Sequence, residues 1–595
     1  MEQPSVPGKP LMVFDGQCGF CRIWIEYWKR LTGEQVEYAP YQEAAGKFPD
    51  IPRENFQRAV HLILPDGSVF SAAKAVFRTL ALVPGRGWTP RAYERVPGFA
   101  AITELIYRWI AEHRSFCYHA TVLLWGKHVE PAAYETVSRW FLRALGAIYL
   151  IAFWSLGVQV KGLIGERGIL PARAFFEAVR VNLGSGAWLR VPSIFWMGTS
   201  DFGLRMVCLA GALVSIAIIA GFLRRVSLGI AFVLYLSLVH AGQTFLSFQW
   251  DFLLLEAGFL AIFLTPFAGR IFLMRWLLFR LMLLSGSAKL LSGDPTWRNL
   301  TALRYHYQTQ PLPTIVGWYF GHLPAGFQKF SVIYMFFVEL AIPFLMFAPR
   351  RVRFFAAGMT AAFQILVFLT GNYTFFNLLA IALCVSLLDD AALRRTKIDA
   401  SPRRIPSVLH RRVSLALVAS ILILSGFQLE EIYTGTMPRA AARVLSAIAP
   451  FGIVNTYGLF AVMTNSRPEI IVEGSNDGQT WLAYGFRYKP GDLKRPPIWV
   501  EPHQPRLDWQ MWFAALANYE SQPWFVNFMV RLLEGSPDVL ALLERNPFPA
   551  QPPHYIRAEV YEYRFTTLAE HRATGDWWQR ELKGVYFPPV SLRLR

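Results

Sequence analysis

The chain has 595 residues, 54% of them apolar, and a formal net charge of +18. The apolar residues gather into long runs, which excludes a purely water-soluble protein. The positive charge falls in short clusters between those runs, which excludes a nucleic-acid-binding surface as its purpose.

The first element is the apolar strand Leu11-Met-Val-Phe14, followed by Cys18-Gly-Phe-Cys21 and a helical run to Trp28. Two cysteines three residues apart at a strand-to-helix turn make a dithiol/disulfide couple. Free N–H groups and the dipole at the helix start favour the thiolate of the first cysteine, and Arg22 adds positive charge nearby. Half a zinc site is the competing reading. It needs two more ligands from His61, His113, Cys117 and His119, and no second CxxC exists. Redox chemistry is favoured over zinc, so no metal is assigned; two merely buried thiols are a third reading.

Together with the strand Ala59-Val-His-Leu-Ile-Leu64, the turn Asp66-Gly67 and a helix from Ala72, the segment Asp15-Gly-Gln-Cys18-Gly-Phe-Cys21 resembles the DCC family of thiol-disulfide oxidoreductases, over roughly residues 10–115. The resemblance implies a thioredoxin-like α/β domain. It makes Cys18 the attacking thiolate, Cys21 the resolving thiol and Asp15 the acidic partner. Pro40 and Pro65 are the candidates for a substrate-side proline.

Nine candidate spans follow, near 139–158, 204–222, 226–242, 251–267, 271–288, 331–347, 353–370, 374–388 and 412–428. Their length suits a hydrocarbon layer of about 30 Å. Basic clusters sit at Arg224-Arg225, at Arg270 with Arg275, at Arg350-Arg351 with Arg353, and from Arg394 to Arg412. These are the loops after the second, fourth, sixth and eighth spans, all on one side, and the positive-inside rule makes that side cytoplasmic. The N-terminal domain shares it, and the C-terminal domain lies outside. The N-terminus lacks the basic-then-apolar pattern of a cleaved leader.

The outer loops carry the unusual sequence. Gly162 to Pro171 leads into an amphipathic stretch, Ala172 to Leu183, expected to lie in the membrane interface, with an ordinary solvent-capped loop helix as the alternative. His240 to Asp251, Lys289 to Trp297 and Tyr305 to Pro313 are rich in polar, aromatic, Gly and Pro residues. Asp251, Glu256, Arg280, Lys289 and Glu339 lie within apolar runs, where an unpaired charge is costly. Asp251 and Lys289 end spans on the outer side, Glu256 lies about 7.5 Å deeper, and His240 ends the third span on the same side. His240, Asp251, Glu256 and Lys289 therefore form a candidate membrane pocket. Snorkelling at a helix end is the equal alternative for Asp251 and Lys289. Arg280 and Glu339 are expected to pair with each other.

From Leu429 the pattern is that of a soluble α+β domain. Pro468 to Ser475 alternates like a strand, as does Thr480 to Tyr488; helical pattern runs from Gln510 to Leu543; strand pattern returns from Tyr555 to Phe565 and at Trp577 to Tyr586. His503, Arg506 and Asp508 cluster in one loop, as a hydrogen-bonded knot or a candidate client-binding loop.

The run from the first span onward resembles the lipase maturation factor family. The matching stretches are Gly165-Glu-Arg-Gly-Ile-Leu-Pro171, Ser285 to Trp297, Tyr305 to Pro313, Asn455 to Met463, Arg467 to Ser475 and Pro502 to Phe513. The resemblance implies a multi-pass membrane protein that helps secreted lipases reach their folded state. Its eukaryotic members reside in the endoplasmic reticulum membrane. Fusion to a DCC-like domain and the lack of a retention signal at Val590 to Arg595 favour a bacterial inner membrane. A shorter stretch, Ala288-Lys289-Leu290 followed by Trp297, is similar to the vitamin K-dependent carboxylase group, which would make Lys289 a base acting on a quinone.

Three domains are expected: thioredoxin-like α/β at 1–120, a polytopic helical membrane domain at 135–428, and an extracytoplasmic α+β domain with a sheet at 429–595. The favoured function is a membrane-embedded maturation factor for secreted lipase-class proteins, with catalysis confined to the N-terminal domain and no certain cofactor. The alternative is a membrane oxidoreductase or carboxylase-like enzyme using a quinone. Of five cysteines, Cys208 and Cys384 fall inside spans and none lies in the C-terminal domain. The outer region therefore holds no dithiol for a client, and Cys18 and Cys21 require a redox partner of their own.

Overall fold

The structure, a computed structural model, describes residues 7–83, 86–264, 268–393 and 408–592. Residues 265–267 at the end of the fourth expected span, the basic stretch 394–407 and the last residues, 593–595, lie outside the described residues. The chain divides into two compact units, with the first boundary between Ala133 and Tyr134.

In the first unit, strand β1 (Leu11–Phe14) is buried along its whole length. Such a strand is apolar at every position because helices cover both faces of its sheet. It pairs in parallel with β2 (Glu37–Pro40) and antiparallel with β3 (His61–Ile63), which pairs antiparallel with β4 (Val69–Ser71). The order is β2-β1-β3-β4. Val13 joins Phe48, Phe56 and Ile63 in one core, while Met12 and Phe14 join Ile25, Leu62 and Ala75 in another. Alternate β1 residues thus serve opposite faces. The longer helices are α1 (Gly19–Thr32), α2 (Ala72–Ala81), α3 (Phe99–Glu112) and α4 (Arg114–Leu124). The Val60 N–H donates to the Tyr107 hydroxyl at 2.9 Å, which fixes α3 to the sheet.

The second unit holds the apolar helices: α5 (Glu135–Gly157), the amphipathic α6 (Ala172–Leu183), α7 (Asp201–Ala220), α8 (Arg224–Gly242), α9 (Gln249–Ile262), α10 (Ala268–Leu291), α11 (Ala325–Leu345), α12 (Arg350–Thr370, of which the part from Ala356 belongs to this unit), α13 (Phe376–Leu387) and α14 (Val408–Thr434). Seven helices among the described residues are long and apolar enough to cross a membrane, and they match seven of the nine expected spans. The other two expected spans are α9 and α13. At 1.5 Å per residue they reach only about 21 and 18 Å. Their side chains are largely buried inside the bundle. Helix α10 is central, with 83% of its apolar window buried, whereas only 17% is buried in α14. The Ser200 Oγ accepts from the Gly203 N–H at the start of α7, and Gly221, at φ 85°, ends it in the left-handed region.

The C-terminal sheet is antiparallel, in the order β6 (Leu482–Ala483), β5 (Pro468–Ser475), β7 (Tyr555–Phe565), β8 (Trp578–Val590). The strand expected from Thr480 to Tyr488 shrinks to two residues. The expected helical stretch divides into α15 (Arg506–Ala515) and α16 (Pro523–Leu533), which meet β5 and β7 respectively. Pro523, which cannot continue a helix, starts the second one. The C-terminal region meets the loops after the first, third, fifth and seventh expected spans, so those four loops lie at one end of the bundle. The contacts are Gly168 with Arg531, Phe245 with Arg506, Asp294 with Met463, and Asn372 with Val500.

Candidate functional site

Cys18 is the N-cap of α1, and its Sγ accepts from the Cys21 N–H at 3.3 Å. Both cysteines are half-buried and both thiols are free. Cys18 opens onto a cleft of about 450 Å³ lined by Asp15, Gln17, Phe20, Arg114, Ser115 and Tyr118. Hydrogen bonding from the Cys21 thiol, then from its backbone N–H, then the charge of Arg114, bring the Cys18 pKa down to about 6. Cys21 is pushed up, first by its hydrogen bond to the Cys18 sulfur and then by burial. The two sulfurs are thus unequal, with the Cys18 pKa lowered and its side chain on the cleft and the Cys21 pKa raised, an asymmetry that suits attack by the first and resolution by the second.

Asp15 Oδ1 accepts from the Gln17 N–H at 3.1 Å and from Gln42 Nε2 at 3.0 Å. Its Oδ2 lies 3.3 Å from Arg114 Nη1. Arg114 Nη2 donates to the carbonyls of Gln57 and Arg58 at 2.7 and 2.8 Å. The cation at the site is therefore Arg114, at the start of α4, and not Arg22, which points into solvent. Gly19 leaves room for the cleft wall: a Cβ there would lie 3.2 Å from the Tyr118 ring. No three His, Cys, Asp or Glu side chains come together among the described residues. His61, His113, Cys117 and His119 thus do not complete a metal-ligand set around the cysteine pair.

Of three buried charge sets, two join the bundle to the C-terminal region and the third, Lys289 with Glu339, joins two helices of the bundle. Arg506 Nη1 donates to Asp251 Oδ2 at 2.9 Å, and Nη2 donates to Oδ1 at 2.8 Å. The Tyr235 hydroxyl donates to Oδ1 at 2.5 Å, and Arg506 also reaches the Phe245 carbonyl at 2.6 Å. Glu256 is held by Arg280, by the Asn455 backbone and side chain at 3.0 Å each, and by the Tyr457 hydroxyl at 2.8 Å. Lys289 donates to both oxygens of Glu339, at 3.0 and 2.8 Å, and lies over the Trp297 ring. Glu339 sits in a π-turn, Phe337–Ala341, within α11.

Three family models match the chain. They are the lipase maturation factor transmembrane domain over residues 136–395, the lipase maturation factor C-terminal domain over 453–588, and a DCC1-like thiol-disulfide oxidoreductase over 12–119. Lipase maturation factor 2 of Gallus gallus is 39% identical, covering 76% of this chain and 81% of its own length. This chain belongs to the lipase maturation factor family. The human lipase maturation factor 2 is 36% identical (76% of this chain, 82% of its own length), and lipase maturation factor 1 of Bos taurus is 35% identical (76% and 88%). No solved structure matches. The long apolar helices and these relatives make the chain an integral membrane protein. The comparisons do not favour the carboxylase-like alternative.

The structure redraws several expected contacts in this lipase maturation factor chain. Arg280 pairs with Glu256 and Lys289 with Glu339, so the expected Arg280–Glu339 pair does not form. Positions 280 and 289 are nine residues apart, half a turn out of phase and about 13.5 Å apart along α10, so they address different neighbours. Asp251 and Lys289 are buried rather than snorkelling. His240, Asp251, Glu256 and Lys289 do not converge on one pocket. Each has its own partner, that of His240 being the Pro450 carbonyl at 2.8 Å.

His503, Arg506 and Asp508 do not form a knot among themselves. His503 Nδ1 lies 2.9 Å from Ser155 Oγ, and Asp508 accepts from the N–H groups of Tyr488 and Lys489, both at 2.9 Å. Burial holds His503 down to about 4. Sequence reasoning missed Arg114 and Tyr118, a hundred residues from the cysteines. It also missed Gln159 and Asn372, which bind the C-terminal domain through the carbonyls of Gln504 and Ile498 at 2.7 and 2.8 Å. Their one available signal was an amide side chain just past the end of an apolar span.

Proposed function

We propose that this chain acts in the maturation of secreted lipases from a bacterial inner membrane. In this reading the DCC1-like domain faces the cytoplasm and the C-terminal domain faces the periplasm. Cys18 attacks a disulfide of a cytoplasmic redox partner, Cys21 resolves the mixed disulfide, and Asp15 with Arg114 holds the cleft. The observation that carries the orientation is the meeting of the C-terminal domain with all four loops that alternate with the basic ones. The polar groups of His503, Arg506 and Asp508 are already engaged within the chain. Client contact therefore falls to the exposed surface of the C-terminal domain.

Reporter fusions after Arg225 and Arg351 should read cytoplasmic, and a fusion after Arg595 should read exported. Cells lacking the protein should secrete lipase antigen of reduced specific activity, restored by the wild-type chain. A cytoplasmic C-terminus, or undiminished lipase activity in its absence, refutes the reading.

A further inference from the structure

Helix α3 carries Ile102, Leu105, Ile106 and Trp109 on one stripe, at the i, i+3, i+4, i+7 spacing of a single helical face. In a water-facing domain such a stripe turns inward. Here the four residues, with Phe116 of α4, are between 48% and 65% exposed. The opposite face, through Tyr107, packs on the sheet. Trp109 stacks on His113 and meets the Phe116 ring edge-on, so the apolar surface runs continuously from α3 onto α4. A contiguous exposed patch of this kind marks an interaction surface.

The flanking charge narrows the occupant. Arg108 is exposed on α3, and Arg91 and Arg95 are exposed on the short helix that precedes it, Thr89–Arg95. Of the nearby acids, Glu94 is paired with Arg78, and Glu104 accepts from the Tyr93 hydroxyl and the Lys74 N–H. Glu112 is the remaining exposed acid. An apolar stripe bearing a tryptophan, with exposed arginines on its own helix and on the one before it, is complementary to the interface of an anionic bilayer. The covalent tether supports the same occupant: α4 ends at Leu124 and α5, the first helix of membrane length, starts at Glu135. That connection spans at most about 40 Å when extended.

We propose that the face formed by Ile102, Leu105, Ile106, Trp109 and Phe116 docks on the surface of an anionic lipid bilayer. Helix α4 carries both Phe116 of this face and Arg114, Ser115 and Tyr118 of the redox cleft. Docking therefore holds Cys18 near the headgroups and selects a redox partner that is itself at the membrane. The inference rests on the membrane-embedded reading but not on the assigned compartment.

The test uses the full chain, with Cys18→Ser and Cys21→Ser to silence the reactive thiols, in nanodiscs containing phosphatidylglycerol. A nitroxide is attached at Leu105→Cys or at Ile106→Cys, and at Glu34→Cys as a water-exposed control. Docking gives several-fold lower collision with a water-soluble nickel complex at 105 and 106 than at 34, with collision with oxygen retained. Arg91→Gln with Arg95→Gln and Arg108→Gln, or discs of phosphatidylcholine alone, should reduce that protection. Equal nickel access at 105, 106 and 34 overturns the proposal. Shielding from both nickel and oxygen also overturns it, because that shows protein, such as a second copy, on the face. Both leaflets of the disc are alike, so the outcome does not depend on the reporter-fusion result.

Discussion

Arg506 grips Asp251 with both terminal guanidinium nitrogens, at 2.9 and 2.8 Å, across 255 residues of chain. Both residues are buried, at 1% and 0% exposure. The Tyr235 hydroxyl donates to the same carboxylate and the Phe245 carbonyl accepts from Nη1, whereas the buried Nε–H of Arg506 has no partner. Removing two charges from water still costs several kcal/mol each, and such a pair is weak evidence for net stability. Its value here is registry. It sets α15 against the start of α9 in one position, because a shift of one residue would strand both charges.

This registry argument makes a directional prediction. Arg506→Met leaves the Asp251 carboxylate buried and unpaired, and should cost about 3–5 kcal/mol, seen as a lower melting temperature in detergent. Asp251→Leu combined with Arg506→Met removes both charges and should recover most of the loss. A double variant as unstable as the single one would show that the interaction energy lies elsewhere.

The second prediction separates structure from chemistry at Lys289. Lys289→Met leaves Glu339 without its cation, and an unpaired charge there costs at least about 2.5 kcal/mol. The amount of folded protein in the membrane should fall. Lys289→Met with Glu339→Gln should restore it. If Lys289→Met leaves the folded level unchanged and abolishes only maturation, Lys289 has a functional role that its ion pair does not explain.

Much of this architecture was legible in sequence because it rests on local pattern. Spans such as Asp201–Ala220 declare themselves by apolar length, and the strand–CxxC–helix turn by spacing. Pairing between distant charges was not legible. Arg280, Lys289, Glu256 and Glu339 were all identified as buried charges, but their partners depend on helix rotation and on Asn455 and Tyr457 arriving from the C-terminal region. The short helices α9 and α13 were overcounted in length because burial among protein, like burial in lipid, selects apolar residues. Arg114 was invisible for a third reason: nothing near it in sequence ties it to the Cys18–Cys21 pair some 96 residues earlier.

A third prediction concerns close packing inside the bundle. A Cβ at Gly258 would lie 1.9 Å from the Tyr149 hydroxyl oxygen and 2.9 Å from its ring carbon Cζ. That hydroxyl donates to the Leu254 carbonyl at 3.2 Å within a fully buried site. Gly258→Ala should destabilise by about 1–3 kcal/mol, as overpacking does. Adding Tyr149→Phe removes the nearest clashing atom and should return part of the loss in the same melting measurement.

The last prediction follows from the unequal cysteines. The fold holds the Cys18 pKa at about 6, below the ordinary thiol value, so its thiolate is present above that pH and lost as pH falls through it. The iodoacetamide rate of Cys18 in the full chain should therefore rise through a midpoint near pH 6 and level off by neutrality, where an ordinary thiol is still mostly protonated. The Cys21 thiol is the largest cause of the lowering and Arg114 a smaller one. Cys21→Ala should move the midpoint up further than Arg114→Gln does. Cys21→Ser keeps a hydroxyl donor and removes the resolving thiol, so it should accumulate mixed disulfides that a reductant releases, whereas Cys18→Ser should accumulate none. An alkylation midpoint in the ordinary thiol range, together with equal trapping by both serine variants, would show that the two sulfurs are interchangeable and that the cap at Cys18 does not select the nucleophile.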